Sequence, residues 1–315
     1  VANSLAAVRG GASHVQGTLH GWGERCGNAD LCAIAPTLEL KLGRRALPEG
    51  ALAGLTDLAR EVARLADEPP NPCQPYVGRS AFAHKGGVHV AAMRRYPDAY
   101  QHVDPAAVGN RTRVVVSELS GRGNVLTQAE ALGLDVESDG AAELLEEIKR
   151  REAEGYSFDA AAGSVALHIA RRRPGYRPPF EVLDYKVLLG RPGEGVPFAE
   201  ATVQTRVGGV EAHSAAAGDG PVEALDRALR KALEPAIPEV ARIRLSDFSV
   251  RILDGREGSS SITRVWIESV AGELRWGTVG ASRNVIDASC RALVDGLEHG
   301  LSRLRARGLG YEAAS

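Results

Sequence analysis

The chain has 315 residues, about two domains at roughly 150 residues each. It is 44% apolar and 25% charged, and its 38 Lys plus Arg against 40 Asp plus Glu leave a formal net charge of −2. This is an ordinary globular composition that argues against disorder and offers no electrostatic case for nucleic acid as the main partner. No run of 18 apolar residues exists, so no membrane-spanning helix is expected.

The only methionine is Met93 and the first residue is Val1. Residues 1–9 read as the middle of an amphipathic helix rather than a signal peptide, and the expectation is a sequence that starts partway through a larger protein. Of the 38 basic residues, the lysines are Lys41, Lys85, Lys149, Lys186 and Lys231. Arg dominance suits phosphate or carboxylate recognition, but a coding bias shared with the abundant Ala and Gly is the better explanation. Cys26, Cys32, Cys73 and Cys290 form no CxxC pair, which suggests a reduced, cytoplasmic setting.

After the first helix, Gly10 and Gly11 turn the chain into an expected strand at 14–18. A glycine-rich loop follows at 21–27, then a helix from about Asn28. Another helix is expected over 49–66, with Leu52, Leu55, Leu58, Val62 and Leu65 as its apolar face. Helix, strand, glycine loop, helix is the order of a parallel α/β fold. Pro69, Pro70 and Pro72 mark a boundary. Beyond it the chain is irregular to about 130, with a strand at 113–117, and then helices at 139–153 and 157–172. Ser138 or Asp139 caps the first of these. Arg171, Arg172 and Arg173 close the second as a solvated end, and Pro174-Gly175 stops it. The remainder repeats a βββα unit: strands near 180–190, 198–207 and 209–213 with a helix at 221–233, then strands near 242–253, 262–270 and 274–280 with a helix at 283–306. Pro221 and Ser282 read as helix-start signals. A sheet of this kind cannot bury both faces alone, which suggests a second subunit.

Three segments carry candidate chemistry. In residues 17–28, Glu24, Arg25 and Asn28 sit on a glycine loop beside a helix start that favours an anion, and the Asn28 amide oxygen suits a hard divalent cation. The glycines at 21, 23 and 27 miss the dinucleotide-binding spacing, and a structural turn with a salt bridge explains them as well as a site does. Residues 83–102 gather His84, Lys85, His89, Tyr100 and His102; a His and a Tyr on one loop suit acid–base work, and a structural role is the counter-reading. Asn110 and Arg111, leading to 117–124, can grip a carboxylate or simply punctuate a loop. His168, His213 and His299 read as structural.

Taken together these segments resemble the acyl-CoA-condensing family of the isopropylmalate and citramalate synthases, over essentially the whole chain. The carriers are Gly17-Thr18 with Gly21, Gly23-Glu24-Arg25 and Gly27-Asn28, then residues 81–89, residues 108–110 with 117–122, residues 218–225, and the duplicated βββα tail. Residues 81–89, 108–122 and 218–225 look most like the citramalate branch.

The resemblance implies an α/β fold of three parts. Residues 1–68 would be the C-terminal end of a catalytic (β/α)8 TIM barrel, incomplete here. Residues 69–173 would be a mainly helical linker contributing to the acetyl-CoA site, and 174–315 an α+β allosteric, dimerising regulatory domain. It implies a metal-dependent Claisen condensation of acetyl-CoA with a 2-oxo acid, pyruvate in the citramalate branch, feeding isoleucine biosynthesis. Asn28 matches a metal ligand (Mn, Mg or Zn), and His89 and Tyr100 match catalytic residues, with Glu24 and Arg25 beside them. A branched-chain amino-acid effector would bind near Gly218, Gly220, Pro221, Gly280, Ser282 and Asn284. The partners implied are these small molecules and a second copy in a homodimer, with neither nucleic acid nor membrane.

The family's strand-one Arg-Asp pair and its His-x-His metal motif are absent from these residues. One strand cannot close a barrel, so the 315 residues alone are expected to be inactive. Isopropylmalate synthase is the alternative within the class. A stand-alone amino-acid sensor is the alternative outside it, and it needs neither the 17–28 loop nor His89.

Overall fold

A computed structural model describes residues 1–114, 138–191, 193, 195, 197–253 and 260–306. The chain divides into two units, Val1–Val115 and Val116–Ser315. Residues 69–114 of the expected linker fall in the first unit and 138–173 in the second.

In the first unit, α1 (Ala2–Arg9) is followed by α2 (Leu31–Leu42), whose first turn is capped by Asp30 Oδ1 accepting from the Cys32 N–H at 2.9 Å. The strand expected at 14–18 is not formed. Only Thr18 makes a bridge, parallel, to Asp30, and one bridge with no neighbouring ladder does not propagate. A 3-10 turn (Ala51–Gly54) leads into α3 (Leu55–Ala66). The buried positions there are Leu52, Leu55, Thr56, Ala59 and Ala63, so Leu52 and Leu55 of the expected face are buried, whereas its Leu58 and Leu65 are 51% and 69% exposed. Thr56 decides the rotation: its Oγ1 donates to the Val108 carbonyl at 2.6 Å, and the small Ala59 lies in the cluster formed by Cys32, Tyr76, Val77, Phe82 and Val108. The two-residue strands β1 (Ala83–His84) and β2 (Arg113–Val114) pair in parallel, and α4 (Gly87–Arg95) follows β1. The strand expected at 113–117 is described only at its first two residues.

The second unit opens with α5 (Ser138–Ala153) and α6 (Ala162–Arg171). Helix α6 starts later than the periodicity suggests, and side chains bond carbonyls of the segment before it. Arg264 donates to the Gly155 and Tyr156 carbonyls, and Trp266 Nε1 to Ala160 at 3.0 Å. The duplicated βββα pattern is present. Strands β3 (Glu181–Gly190), β4 (Phe198–Val207) and β5 (Val210–Gly218) form an antiparallel meander followed by α7 (Pro221–Leu233). Strands β6 (Arg244–Ile252), β7 (Thr263–Ala271) and β8 (Leu274–Ser282) form a second, followed by α8 (Val285–Ala306).

Val203 is paired with Tyr185 and Ser214, and Ile267 with Phe248 and Thr278, so alternate residues of each central strand point the same way. Ala199, Ala201 and Val203 of one sheet and Val265 and Ile267 of the other share a core with Leu225, Leu229 and Leu233 of α7 and Leu293, Leu297 and Leu301 of α8. Each buried leucine contributes about 1.5–3 kcal/mol. Strand β8 is buried on both faces. Its Val279 and Ala281 pack with Leu144 and Ile148 of α5 and Val165 and Ile169 of α6.

The basic run after α6 is not simply solvated. Arg171 bonds Asp295 and Glu298 of α8, and Arg172 bonds Glu143 and Glu147 of α5.

Candidate functional site

The loop at 17–28 closes on itself. Thr18 Oγ1 and Asn28 Nδ2 both donate to the Trp22 carbonyl, at 2.6 and 3.0 Å. A Cβ at Gly23 would collide with the Asn28 side chain, so that glycine is required by the loop's own packing. Asn28 is exposed, and with Nδ2 committed to Trp22 its Oδ1 takes no hydrogen bond among the described residues. Glu24 and Arg25 are exposed beside it, and Arg25 adopts φ 56°, a left-handed conformation costing about 1 kcal/mol or more for a non-glycine. The salt bridge weighed for this turn is not among the ion pairs of either residue described.

The structure brings His89 and Tyr100 together: their rings stack with centroids 4.3 Å apart. Both are exposed. His84 stands edge-on to Tyr100 at 6.5 Å and is buried. Its Nε2 has no hydrogen-bond partner, and burial, then the neighbouring His89, pushes its imidazole below the ordinary value. His102 belongs elsewhere, stacked on Phe82 at 5.9 Å, with its carbonyl accepting from Lys41 Nζ. Asn110 is a structural clamp, its Nδ2 donating to the Tyr76 and Gly78 carbonyls at 2.8 and 3.0 Å. Residues 117–124 lie outside the described residues.

Sequence reasoning passed over His20, which sits at the centre of the loop's contacts. Its ring stacks on Trp22 at 4.3 Å and its two nitrogens reach Gln74 and Ala59. No spacing rule marks it; the signal lies in its partners at 59 and 74, which are remote in sequence.

In the second unit the expected effector residues stand at two separate helix starts. Gly220 precedes Pro221, and the Glu223 carboxylate folds back to accept from the Asp219 N–H at 2.8 Å. At α8 the capping residue is Asn284 rather than Ser282. Asn284 Oδ1 accepts from the Ile286 and Asp287 N–H groups, while Ser282 Oγ accepts from the Asn284 N–H. The asparagine wins because it lies next to the first helical residue, within reach of its second and third N–H groups. Gly218 and Gly280 serve close packing, since a Cβ would strike the backbone of Ala224 or Ala288.

A cleft of about 670 Å³ opens elsewhere in this unit, between β3, α8 and the α5–α6 segment. Arg151, Arg291, Asp184, Asp287 and Tyr185 line it, so it offers both signs of charge. Tyr185 Oη donates to Asp287 Oδ1 at 3.3 Å, and burial pushes its phenol up to about 12. None of the expected effector residues lines it. Of the histidines read as structural, His168 pairs with Glu147 at 3.0 Å, which holds that carboxyl down at about 2. His299 is buried edge-on to Trp276.

Among the described residues no group of three or more His, Cys, Asp or Glu side chains can hold a metal ion. Asn28 offers one oxygen where a hard divalent cation takes about six, so these residues do not by themselves fit a bound metal. No helix of the described residues is long and apolar enough to cross a membrane.

Three family models match successive parts of the chain: HMGL-like over residues 1–62, homocitrate synthase post-HMGL domain-like over 76–155, and the LeuA allosteric (dimerisation) domain over 161–301. Among curated proteins the chain is similar to the (R)-citramalate synthase of Geobacter sulfurreducens, 48% identical over 96% of this chain and 58% of that protein. It is likewise similar to the (R)-citramalate synthase of Aquifex aeolicus, 45% identical over 98% of this chain and 59% of that protein. A probable 2-isopropylmalate synthase of Methanopyrus kandleri is 29% identical over 97% of this chain and 59% of its own length. The chain thus spans somewhat under three fifths of the length of these curated relatives.

Proposed function

We propose that this chain, a relative of the (R)-citramalate synthases over nearly its whole length, supplies the C-terminal part of such an enzyme. Residues 1–68 would end the catalytic barrel, 69–173 would link, and 174–315 would regulate and dimerise. The observation that carries the reading is the exposed His89–Tyr100 stack, set in a segment related to the homocitrate synthase post-barrel region. An exposed imidazole and an exposed phenol side by side suit the taking and returning of a proton.

The overall change is the loss of a methyl proton from acetyl-CoA, attack of the resulting enolate carbon on the keto carbon of pyruvate, and addition of water across the thioester. The products are citramalate and CoA. His89 and Tyr100 would hold or move a proton at the acetyl-CoA end. Asn28, Glu24 and Arg25 would face the oxo acid from the loop, with Asn28 giving one oxygen to the divalent metal and other parts of the enzyme giving the remaining ligands. The metal would be a divalent ion, Mn, Mg or Zn. On this reading the 315 residues alone do not condense substrates.

The relatives at 41–48% identity are named (R)-citramalate synthase, which supports pyruvate over the larger 2-oxoisovalerate as the oxo acid. An amino-acid effector would bind in residues 174–315, at the two helix starts or in the charged cleft, where a zwitterion meets both Arg291 and Asp184.

The test is an acetyl-CoA condensation assay on the enzyme at the full length of its relatives. His89→Ala should lower kcat about 10²-fold or more, the usual range for a lost acid–base group. Unchanged turnover in that variant would remove His89 from the mechanism.

A further inference from the structure

The His89–Tyr100 pair is assembled from two exposed elements. His89 lies in the first turn of α4, and Tyr100 ends a 3-10 turn at Pro97–Tyr100. Among the described residues neither the His89 ring nitrogens nor the Tyr100 hydroxyl makes a hydrogen bond, so no polar contact fixes the stack. A solvent-exposed ring contact is weak, and each side chain gives up rotamer freedom to make it.

The third ring of the cluster is placed differently. His84 is 8% exposed and lies on β1, paired with Val114 of β2. Just before it, Phe82 is buried in the first unit's core and its carbonyl accepts from the Arg113 N–H at 3.0 Å. The Ala83 N–H donates to the Ser80 carbonyl at 3.1 Å. His84 therefore stands on fixed backbone. Its ring meets Tyr100 with planes 61° apart, the edge-to-face geometry that aromatic pairs prefer. Gln101, next to Tyr100, donates from Nε2 to Thr112 Oγ1, which ties the Tyr100 turn to the start of β2. Hydrogen bonding at Nε2 does not explain a histidine at position 84. That nitrogen is buried without a partner among the described residues, an arrangement that costs stability and that a phenyl ring of similar shape would avoid.

We infer that His84 is a positioning residue for the His89–Tyr100 pair: its buried ring, held by β1, sets the plane of Tyr100 and with it the stack on His89. Tyr100 is the middle ring, touching both histidines, and it passes the order of the core to an imidazole in solvent. The ring arrangement stands on geometry alone. Its consequence for turnover rests on the citramalate synthase reading.

The experiment is aromatic NOE spectroscopy on the 315-residue chain, which needs no turnover and so separates this inference from the proposed activity. Wild-type Tyr100 should show NOEs to both His84 and His89. His84→Phe keeps an aromatic edge and removes the unpartnered nitrogen. It should retain the Tyr100–His89 NOEs and raise the urea midpoint. His84→Leu and His84→Gln, which have no ring, should lose most of that NOE intensity while the β1 and β2 amides stay protected, a change that mere space-filling would not produce. Retained NOEs in the ringless variants, or their loss in His84→Phe, overturns the inference. Loss of β1–β2 protection in both ringless variants also overturns it, since His84 would then serve the fold rather than the pair. In the full-length enzyme, kcat should follow the same ranking, with His84→Phe near wild type and His84→Leu several-fold lower. A stack lost in His84→Leu with kcat unchanged would uphold the positioning and remove the pair from the mechanism.

Discussion

His299 shows what burial does to a single titratable side chain. It lies on α8, edge-on to Trp276 at 5.9 Å, and burial, followed by repulsion from Arg303, pushes its imidazole from 6.5 down to about 4. The unfolded chain takes up this proton near 6.5 and the folded chain only near 4. Between those values the unfolded state binds more protons, so stability falls as pH drops through that window. At 1.36 kcal/mol per pH unit the whole interval is worth about 3 kcal/mol. Glu147 acts in a different window: held at about 2 by His168 and then Arg172, it contributes stability above its ordinary 4.5 that is lost as pH falls toward 2. His299→Gln should therefore flatten the loss of urea stability between about pH 6.5 and pH 4 and leave the steeper loss below pH 4. An unaltered slope in the upper window would show that His299 does not carry it.

The elements show where sequence patterns are readable. All six long strands and both helices of the duplicated βββα unit fall within a few residues of their expected places, except that β5 runs on to Gly218. Their alternation and helical spacing are local and unbroken. Around helix α3 the pattern holds at Leu52 and Leu55 and fails at Leu58 and Leu65, where the buried side instead carries Thr56, bonded to Val108, 52 residues away. The His89–Tyr100 pair was legible because both lie within 12 residues. His20 was not, because its role is set by Ala59 and Gln74.

Beyond those internal contacts, two edge strands are exposed among the described residues. Every residue of β6 is exposed, with Ile252 at 64%, and Leu188 and Leu189 of β3 are each 60% exposed. Apolar edges of this kind invite pairing with another copy, as the LeuA dimerisation-domain match suggests. The 315-residue chain, 33.3 kDa, should sediment as a dimer at micromolar concentration, and Leu189→Asp should shift it toward monomer. Isoleucine should tighten the dimer if the effector acts through this unit. A monomeric wild-type mass would contradict the dimer.

At the scale of the whole molecule, α5 and α6 belong with the C-terminal sheets. They cover the outer side of β8, and the Arg171 contacts to Asp295 and Glu298 tie α6 to α8. Val279 and Ala281 of β8, nearly fully buried, pack against both helices. The first unit is different in kind: the proposed site residues Asn28, His89 and Tyr100 are all exposed. The central claim is that these residues serve a citramalate synthase and are insufficient alone. It is tested most directly by CoA release from acetyl-CoA, measured with pyruvate and with 2-oxoisovalerate. The assay is run on the isolated 315 residues and on the enzyme at its relatives' full length. The prediction is turnover by the full-length enzyme with pyruvate preferred, and none by the isolated chain. Preference for 2-oxoisovalerate, or condensation by the 315 residues alone, would contradict it.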